Sequence, residues 1–206
     1  MRGTPSRPAL GLVLLAGAAL AGCGLFQPTE PEPPSGVVVE ADYTDPDATL
    51  ATLRLAVEDK GRTTGQTAYL GGLADPDRDG LDFTALHLPE VVQELQSSGV
   101  TIPDPWTHAL ESTFYRKLIG LDGSAYAMSW EVDSSFVGED RTDAEEAIRN
   151  RKYFIQSESG LIAEGYAKLT FRLIPPSRWV IVTWEERPVR SGEVVDFTFS
   201  MLRLKP

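Results

Sequence analysis

The spacing of apolar residues changes along this chain, and that change limits the fold more than any other feature. The first part carries helical spacing. Asp45-Pro46 opens the first such run, with Asp45 as the cap and Pro46 at the first helical position. Leu50, Leu53 and Val57 follow at i, i+3 and i+7, the stripe of a helix packed on one side, and Gly61 ends it. A second short helix is expected over 66–74, offering Tyr69, Leu70 and Leu73, with Gly71-Gly72 as its weak point. A third starts at Pro89, shows Val91, Val92 and Leu95 on its face, and stops at Gly99. From about residue 111 the period becomes two. Tyr126, Met128, Trp130 and Val132 alternate with Ala127, Ser129 and Glu131. Ala167, Leu169, Phe171 and Leu173 form an apolar face opposite Lys168, Thr170 and Arg172. Residues 179–185 are apolar on both faces for most of their length, as in a central strand, and 197–204 read as a further strand. Pro175-Pro176-Ser177 makes a hairpin, residues 188–192 the next connection, and 138–147 an acidic loop or helical turn. Helices followed by a run of antiparallel strands form the α+β pattern.

Composition narrows the function classes. Of 206 residues, 42% are hydrophobic and 24% charged, which suits a packed domain rather than a disordered chain. The formal charge of −11 repels phosphate backbones, so nucleic acid is excluded as a partner held through a basic footprint. A single cysteine, Cys23, rules out an intrachain disulfide and a Cys-based zinc cluster.

The position of that cysteine has its own meaning. Residues 1–8 hold Arg2 and Arg7 and no acid, and residues 9–22 are apolar or small, the layout of a secretory signal. The run ends in Leu20-Ala21-Gly22-Cys23, which resembles the lipobox of bacterial lipoproteins. The resemblance implies cleavage between Gly22 and Cys23, thioether lipidation of Cys23 and acylation of the new amino terminus. Several acyl chains, at about 0.8 kcal/mol per buried methylene, anchor a protein stably. The expected location is therefore the bacterial cell envelope, with the bilayer as partner. Gly24 in place of Asp implies the outer membrane if the host is Gram-negative. Four prolines and two glutamates in residues 24–36 favour an extended, solvated spacer. The expected organisation is a signal peptide over 1–22, lipidated Cys23 and a Pro/Glu-rich tether over 23–39, and one α+β domain over 40–206.

Three segments carry a second resemblance. They are Asp45-Pro46-Asp47-Ala48-Thr49-Leu50-Ala51-Thr52-Leu53, Arg178-Trp179-Val180-Ile181-Val182-Thr183-Trp184-Glu185, and Phe197-Thr198-Phe199-Ser200-Met201-Leu202-Arg203. In this order they resemble the first helix and the closing strands of nuclear-transport-factor-2-like domains. That resemblance implies N-terminal helices packed on a strongly curved, mostly antiparallel sheet, a cone with a pocket at its open end. Pairing of sheet faces as a homodimer is common in that family and is the expectation here. Its enzymes, such as ketosteroid isomerase and the polyketide cyclases, set an acidic base and a phenol or acid donor in an apolar pocket. Glu131, Glu164, Tyr115, Tyr126, Tyr153 and Tyr166 are of the right types. None matches a motif position of those enzymes, so no catalytic residue is assigned.

Two further patterns bear on chemistry. Asp75, Asp77 and Asp79 alternate ahead of Gly80, as the oxygen ligands of a calcium loop do, but the twelfth position is Leu86 instead of a bidentate Glu. Pro76 and Arg78 interrupt the pattern, and Arg78 can itself neutralise a carboxylate. His87 and His108 lack a ligand-pair spacing and read as isolated histidines. Trp106, Tyr115, Tyr126, Trp130, Trp179 and Trp184 are candidates to line a ligand pocket, against the commoner role of large aromatics as core. No Gly-x-Ser-x-Gly elbow, phosphate loop or dinucleotide fingerprint occurs. The favoured reading is a membrane-anchored, non-catalytic module for a small apolar ligand or an envelope protein. The alternatives are a cyclase- or isomerase-like enzyme with a buried carboxylate, and a calcium-stabilised surface protein.

Overall fold

Asp45 starts the first helix through local chemistry: its Oδ1 accepts from the amides of Asp47 and Ala48 at 2.8 Å each. In the computed structural model, the residues described are 40–58, 63–121, 126–132, 139–187 and 198–204. All belong to one unit, Val37–Pro206. Gly22, Cys23 and the tether lie outside the described residues, as does Gly61. Helix α1 spans Pro46–Glu58 and buries Leu50, Leu53, Ala56 and Val57, the stripe expected from its spacing. After it come α2 (Thr63–Gly71), a single turn α3 (Pro76–Asp79), the short strand β1 (Thr84–Leu86) and α4 (Pro89–Ser97). Among the described residues no helix is long and apolar enough to cross a membrane.

The start of the strand region is later than the sequence suggested. Residues 108–120 form a helix, α5 (His108–Gly120), which buries Glu111, Phe114, Tyr115 and Leu118 at helical spacing. The acid at 111 sits on the inward face and breaks the apolar stripe that would have marked the helix. Strands then follow as β2 (Tyr126–Glu131), β3 (Arg141–Thr142), β4 (Glu146–Ser157), β5 (Gly160–Ile174) and β6 (Arg178–Arg187). The segment read as an acidic loop therefore contains β3 and the first residues of β4. Strand β4 was hidden for the same reason as α5, because Arg149 and Arg151 are buried on its inner face. Residues 199–204, expected in a strand, form the short helix α6 (Phe199–Leu204), and Phe197 lies outside the described residues. Its residues Phe199, Ser200, Met201, Arg203 and Leu204 are buried, so they surround no single face. A segment buried on nearly all sides shows neither period.

The sheet runs β1-β6-β5-β4-β2, with β3 beside β4. Every pairing is antiparallel except that of β1 with β6. Register places Trp130 opposite Tyr153, Tyr153 opposite Gly165, and Leu169 opposite Trp184 on one face. A register shift between Thr170 and Phe171 leaves Val182 unpaired, so Ile181 and Trp184 both reach this inner face. That bulge accounts for much of the two-sided apolarity of 179–185. The helices cover the inner face: Thr49 Oγ1 donates to the Trp179 carbonyl at 2.9 Å, and Trp130 Nε1 to that of Leu50 at 3.0 Å. The chain is thus α+β, with helices on a six-stranded, mostly antiparallel sheet.

Candidate functional site

Two of the buried carboxylates among the described residues, Glu111 and Glu186, are touched by α6. The first is Glu111, brought in by α5. Arg203 of α6 forks onto it, Nε to Oε2 at 2.9 Å and Nη2 to Oε1 at 2.8 Å. The Tyr69 hydroxyl of α2 donates to Oε1 at 2.8 Å and Trp106 Nε1 to Oε2 at 2.7 Å. Each oxygen accepts twice, and neither side chain of the ion pair has exposed surface. The Arg203 guanidinium also lies 4.6 Å from the Trp184 ring centre and 5.2 Å from that of Phe199. Burial alone would weaken the hold of Arg203 on its proton, but the charge and hydrogen bonds of Glu111 outweigh it. Burial, then the Glu111 charge, pushes the Tyr69 phenol well up. This group is a clamp that ties α2, α5, α6 and Trp106 together.

The second carboxylate, Glu186 at the end of β6, meets a phenol. Tyr153 of β4 donates its hydroxyl to Glu186 Oε1. The Ser200 amide donates to Glu186 Oε2 at 2.8 Å, and the Phe199 amide to Tyr153 Oη at 2.9 Å. Ser200 Oγ in turn accepts from the Leu88 amide at 2.9 Å. Gly165 allows the close approach of Tyr153, since a Cβ there would lie 2.4 Å from Tyr153 Oη. Burial raises the Glu186 carboxyl above the usual range, against the opposing effects of Arg203, Ser200 and Tyr153. Burial and then Glu186 raise the Tyr153 phenol. A carboxyl so raised beside a phenol has the makings of acid–base chemistry. Here the space over the pair is taken: Tyr153 stacks on Phe199 at 4.6 Å between ring centres, and Trp184 meets Phe199 edge-on at 4.9 Å.

The six aromatic candidates are distributed through the core instead of around a common opening. Tyr115 and Tyr126 are buried and donate to the carbonyls of Ala56 at 2.6 Å and Leu118 at 3.0 Å. Trp106 serves Glu111, while Trp179 and Trp184 are buried in the sheet's inner layer. Trp130, half buried, borders a surface cleft of about 340 Å³ with Asp47, Arg54 and Arg151. Trp184 Nε1, Arg203 Nη1 and both ring nitrogens of His87 are buried with no hydrogen-bond partner among the described residues. Burial, and then the charge of Arg203, lowers His87 to about 3, so it is neutral. His108 is elsewhere engaged, with Nε2 at 3.4 Å from the Leu70 carbonyl. Glu164 pairs with Lys152 at 2.8 Å, and the Tyr166 ring lies under the same lysine at 5.6 Å. Glu131 is exposed.

The three aspartates of the 75–79 segment serve a helical turn. Asp75 caps α3 by accepting from the Asp77 amide at 3.0 Å, and Gly80, at φ 67°, ends the turn. Asp79 has no exposed side-chain surface and lies between Arg78, at 3.0 Å, and Arg178. Burial works against the Asp79 charge, but the two arginines and the Asp75 amide outweigh it and hold the carboxyl low. Among the described residues no three His, Cys, Asp or Glu side chains are grouped to hold a metal ion. Glu111, Arg203 and Glu186 went unrecognised in the sequence. Gly165, a glycine within an alternating strand, was the one local sign of a close approach there.

No protein-family model matches this chain, and no curated protein matches it. Solved structures do. A proposed calcium/calmodulin-dependent protein kinase type II association domain from Thiobacillus denitrificans matches 73% of this chain and 100% of its own, at 15% identity and a TM-score of 0.46. A proposed dehydratase of the NTF2-like family from Streptomyces avermitilis matches 69% and 92%, at 12% and 0.47. An NTF2-like protein of unknown function from Pseudomonas putida matches 71% and 86%, at 8% and 0.45. At such identities the likeness concerns fold alone.

Proposed function

We propose that this protein is a lipid-anchored, non-catalytic module of the bacterial cell envelope, whose folded domain binds a small ligand or an envelope protein. The observation that carries the non-catalytic part is the placement of α6. It covers the Glu186–Tyr153 pair with Phe199 and commits Glu111 to Arg203, so both of these carboxylates are bonded within the chain. The anchoring part rests on Leu20-Ala21-Gly22-Cys23 and the acidic proline spacer behind it. Pairing through sheet faces as a homodimer belongs to the same reading. Replacing Cys23→Ser is expected to move the protein from the membrane to the soluble fraction, and unchanged membrane retention overturns the anchoring.

The enzyme reading is favoured by one observation, the raised Glu186 carboxyl beside the Tyr153 phenol. It requires α6 to leave the interior before substrate can enter. The calcium reading requires Asp79 to be released by Arg78 and Arg178. A calcium ion that bound there would raise the melting temperature by mass action.

A further inference from the structure

With the interior occupied by the chain itself, a second feature offers room to a ligand. A cleft of about 430 Å³ lies between the segment before α1, helix α2 and the start of β6, bordered by Ala41, Tyr43, Thr67, Gly71, Arg78 and Arg178. That volume is in the range of small-molecule sites. Its walls are fixed. The Tyr43 hydroxyl donates to the Ala68 carbonyl at 2.8 Å, and the Tyr43 carbonyl accepts from the Trp179 amide at 2.8 Å. Gly71 makes this seat available, because a Cβ there would lie 2.3 Å from Tyr43 Oη. Arg78 is held by the Leu73 carbonyl at 2.7 Å and by Asp79, which also holds Arg178.

Direct ion pairing in this group is uneven. Two guanidiniums share one carboxylate, and that carboxylate is fully buried while the arginines keep 38% and 25% of their side-chain surface exposed. Among the described residues, the Arg178 side chain engages the protein through Nη2 alone, and Arg78 leaves Nη1 without a protein partner. Both charges act on the Tyr43 phenol, opposing the rise that burial gives it, so both lie near the aromatic wall.

We infer that this cleft binds a small carboxylate with an apolar or aromatic body, its carboxylate on Arg178 and Arg78 and its body against Tyr43. A planar guanidinium matches a planar carboxylate through two parallel hydrogen bonds. Two guanidiniums that contact a single carboxylate leave donors suited to a monoanion, while Asp75 and Asp77 in the adjoining turn and the formal chain charge of −11 disfavour a phosphate dianion. Ordered walls spare the ligand the cost of arranging them. The cleft is read from the folded domain alone, so its failure leaves the Cys23 test untouched.

The test is calorimetric titration of the full chain, in non-ionic detergent, with sodium benzoate and separately with inorganic phosphate. Saturable benzoate binding is expected, with phosphate weaker. Arg178→Gln should weaken benzoate about tenfold or more, the effect of losing charge-assisted hydrogen bonds. Thr67→Trp fills the cleft from an exposed position outside the arginine–Asp79 group, and should abolish binding while the circular-dichroism spectrum of the folded domain is kept. Absence of saturable benzoate binding, binding that survives Thr67→Trp, or phosphate binding tighter than benzoate each overturns the inference.

Discussion

Glu111 and Asp79 are both carboxylates without exposed surface, and both hold arginine, yet they do opposite things for the molecule. Glu111 faces one arginine that is itself buried, and two neutral donors take up its remaining lone pairs. The group is balanced and closed. Asp79 faces two arginines that reach solvent, so its group leaves guanidinium donors at a cleft. A balanced ion pair sealed from water costs desolvation and gives specificity of arrangement, whereas an unbalanced one at a surface keeps donors for a visitor. The same residue types thus make a clamp in one place and a candidate binding site in another, and the count of cations per carboxylate separates them.

The largest effect that can break this comparison is at the clamp. Glu111→Ala leaves Arg203 buried without its counter-charge, and should lower the unfolding free energy in denaturant by about 3–5 kcal/mol. The paired change Glu111→Leu with Arg203→Met should recover most of that loss, because an apolar pair has no charge to strand. A single variant costing less than about 1 kcal/mol would remove the clamp from the account, being no more than an exposed pair is worth.

A second effect, spread over several pH units, comes from His87, whose neutrality is set by burial and then by Arg203. Its pKa falls from 6.5 to about 3 on folding, so between these values the unfolded chain takes up a proton that the folded chain refuses. The stability linked to His87 is therefore complete above about pH 6.5 and declines as pH falls toward 3, by up to about 1.4 kcal/mol per pH unit. His87→Phe should flatten that part of the melting-temperature profile. Glu186, raised by burial, works in the other sense: its contribution is present at low pH and is lost as pH rises through its raised value. A wild-type profile with the same acid slope as His87→Phe would show that folding does not lower this histidine.

The smallest expected effect on stability is at the cleft. Asp79→Asn leaves two arginines that water can reach, so the fold should lose only about 1 kcal/mol in a thermal melt. The same change removes the only carboxylate shared by the pair, and phosphate should then bind more tightly relative to benzoate. A large stability loss with no change in anion preference would class Asp79 with Glu111.

The elements visible in the sequence were those whose signals are local. Asp45-Pro46 set the start of α1, and Leu50, Leu53 and Val57 its buried side, because cap and stripe need no distant partner. The alternation of 167–173 likewise located the middle of β5. The interior was illegible for one physical reason. Glu111, Arg149, Arg151 and Arg203 are buried polar residues, and each interrupts an apolar pattern on its own element. Partners far along the chain help make their burial tolerable, 92 residues apart for Glu111 and Arg203 and 102 for Arg149 and Asp47. That is why α5 and β4 were missed and why 199–204 read as a strand. The aspartates at 75, 77 and 79 show the converse, a local pattern with a distant partner. Their spacing fits a cation loop, but Arg178, 99 residues from Asp79, meets the third carboxylate.

Strand β1 is only three residues long, yet it decides how this sheet meets other molecules. It lies along Thr183–Glu185 of β6, and Leu73 bridges to Ile181 just ahead of it. The outer side of β1 is used in turn, since Ala85 donates to the Trp106 carbonyl at 3.1 Å. One margin of the sheet therefore offers few backbone groups to an incoming strand. Growth of a strand-by-strand polymer needs two receptive margins on every subunit. With one margin occupied by its own chain, the sheet cannot add strands in both directions.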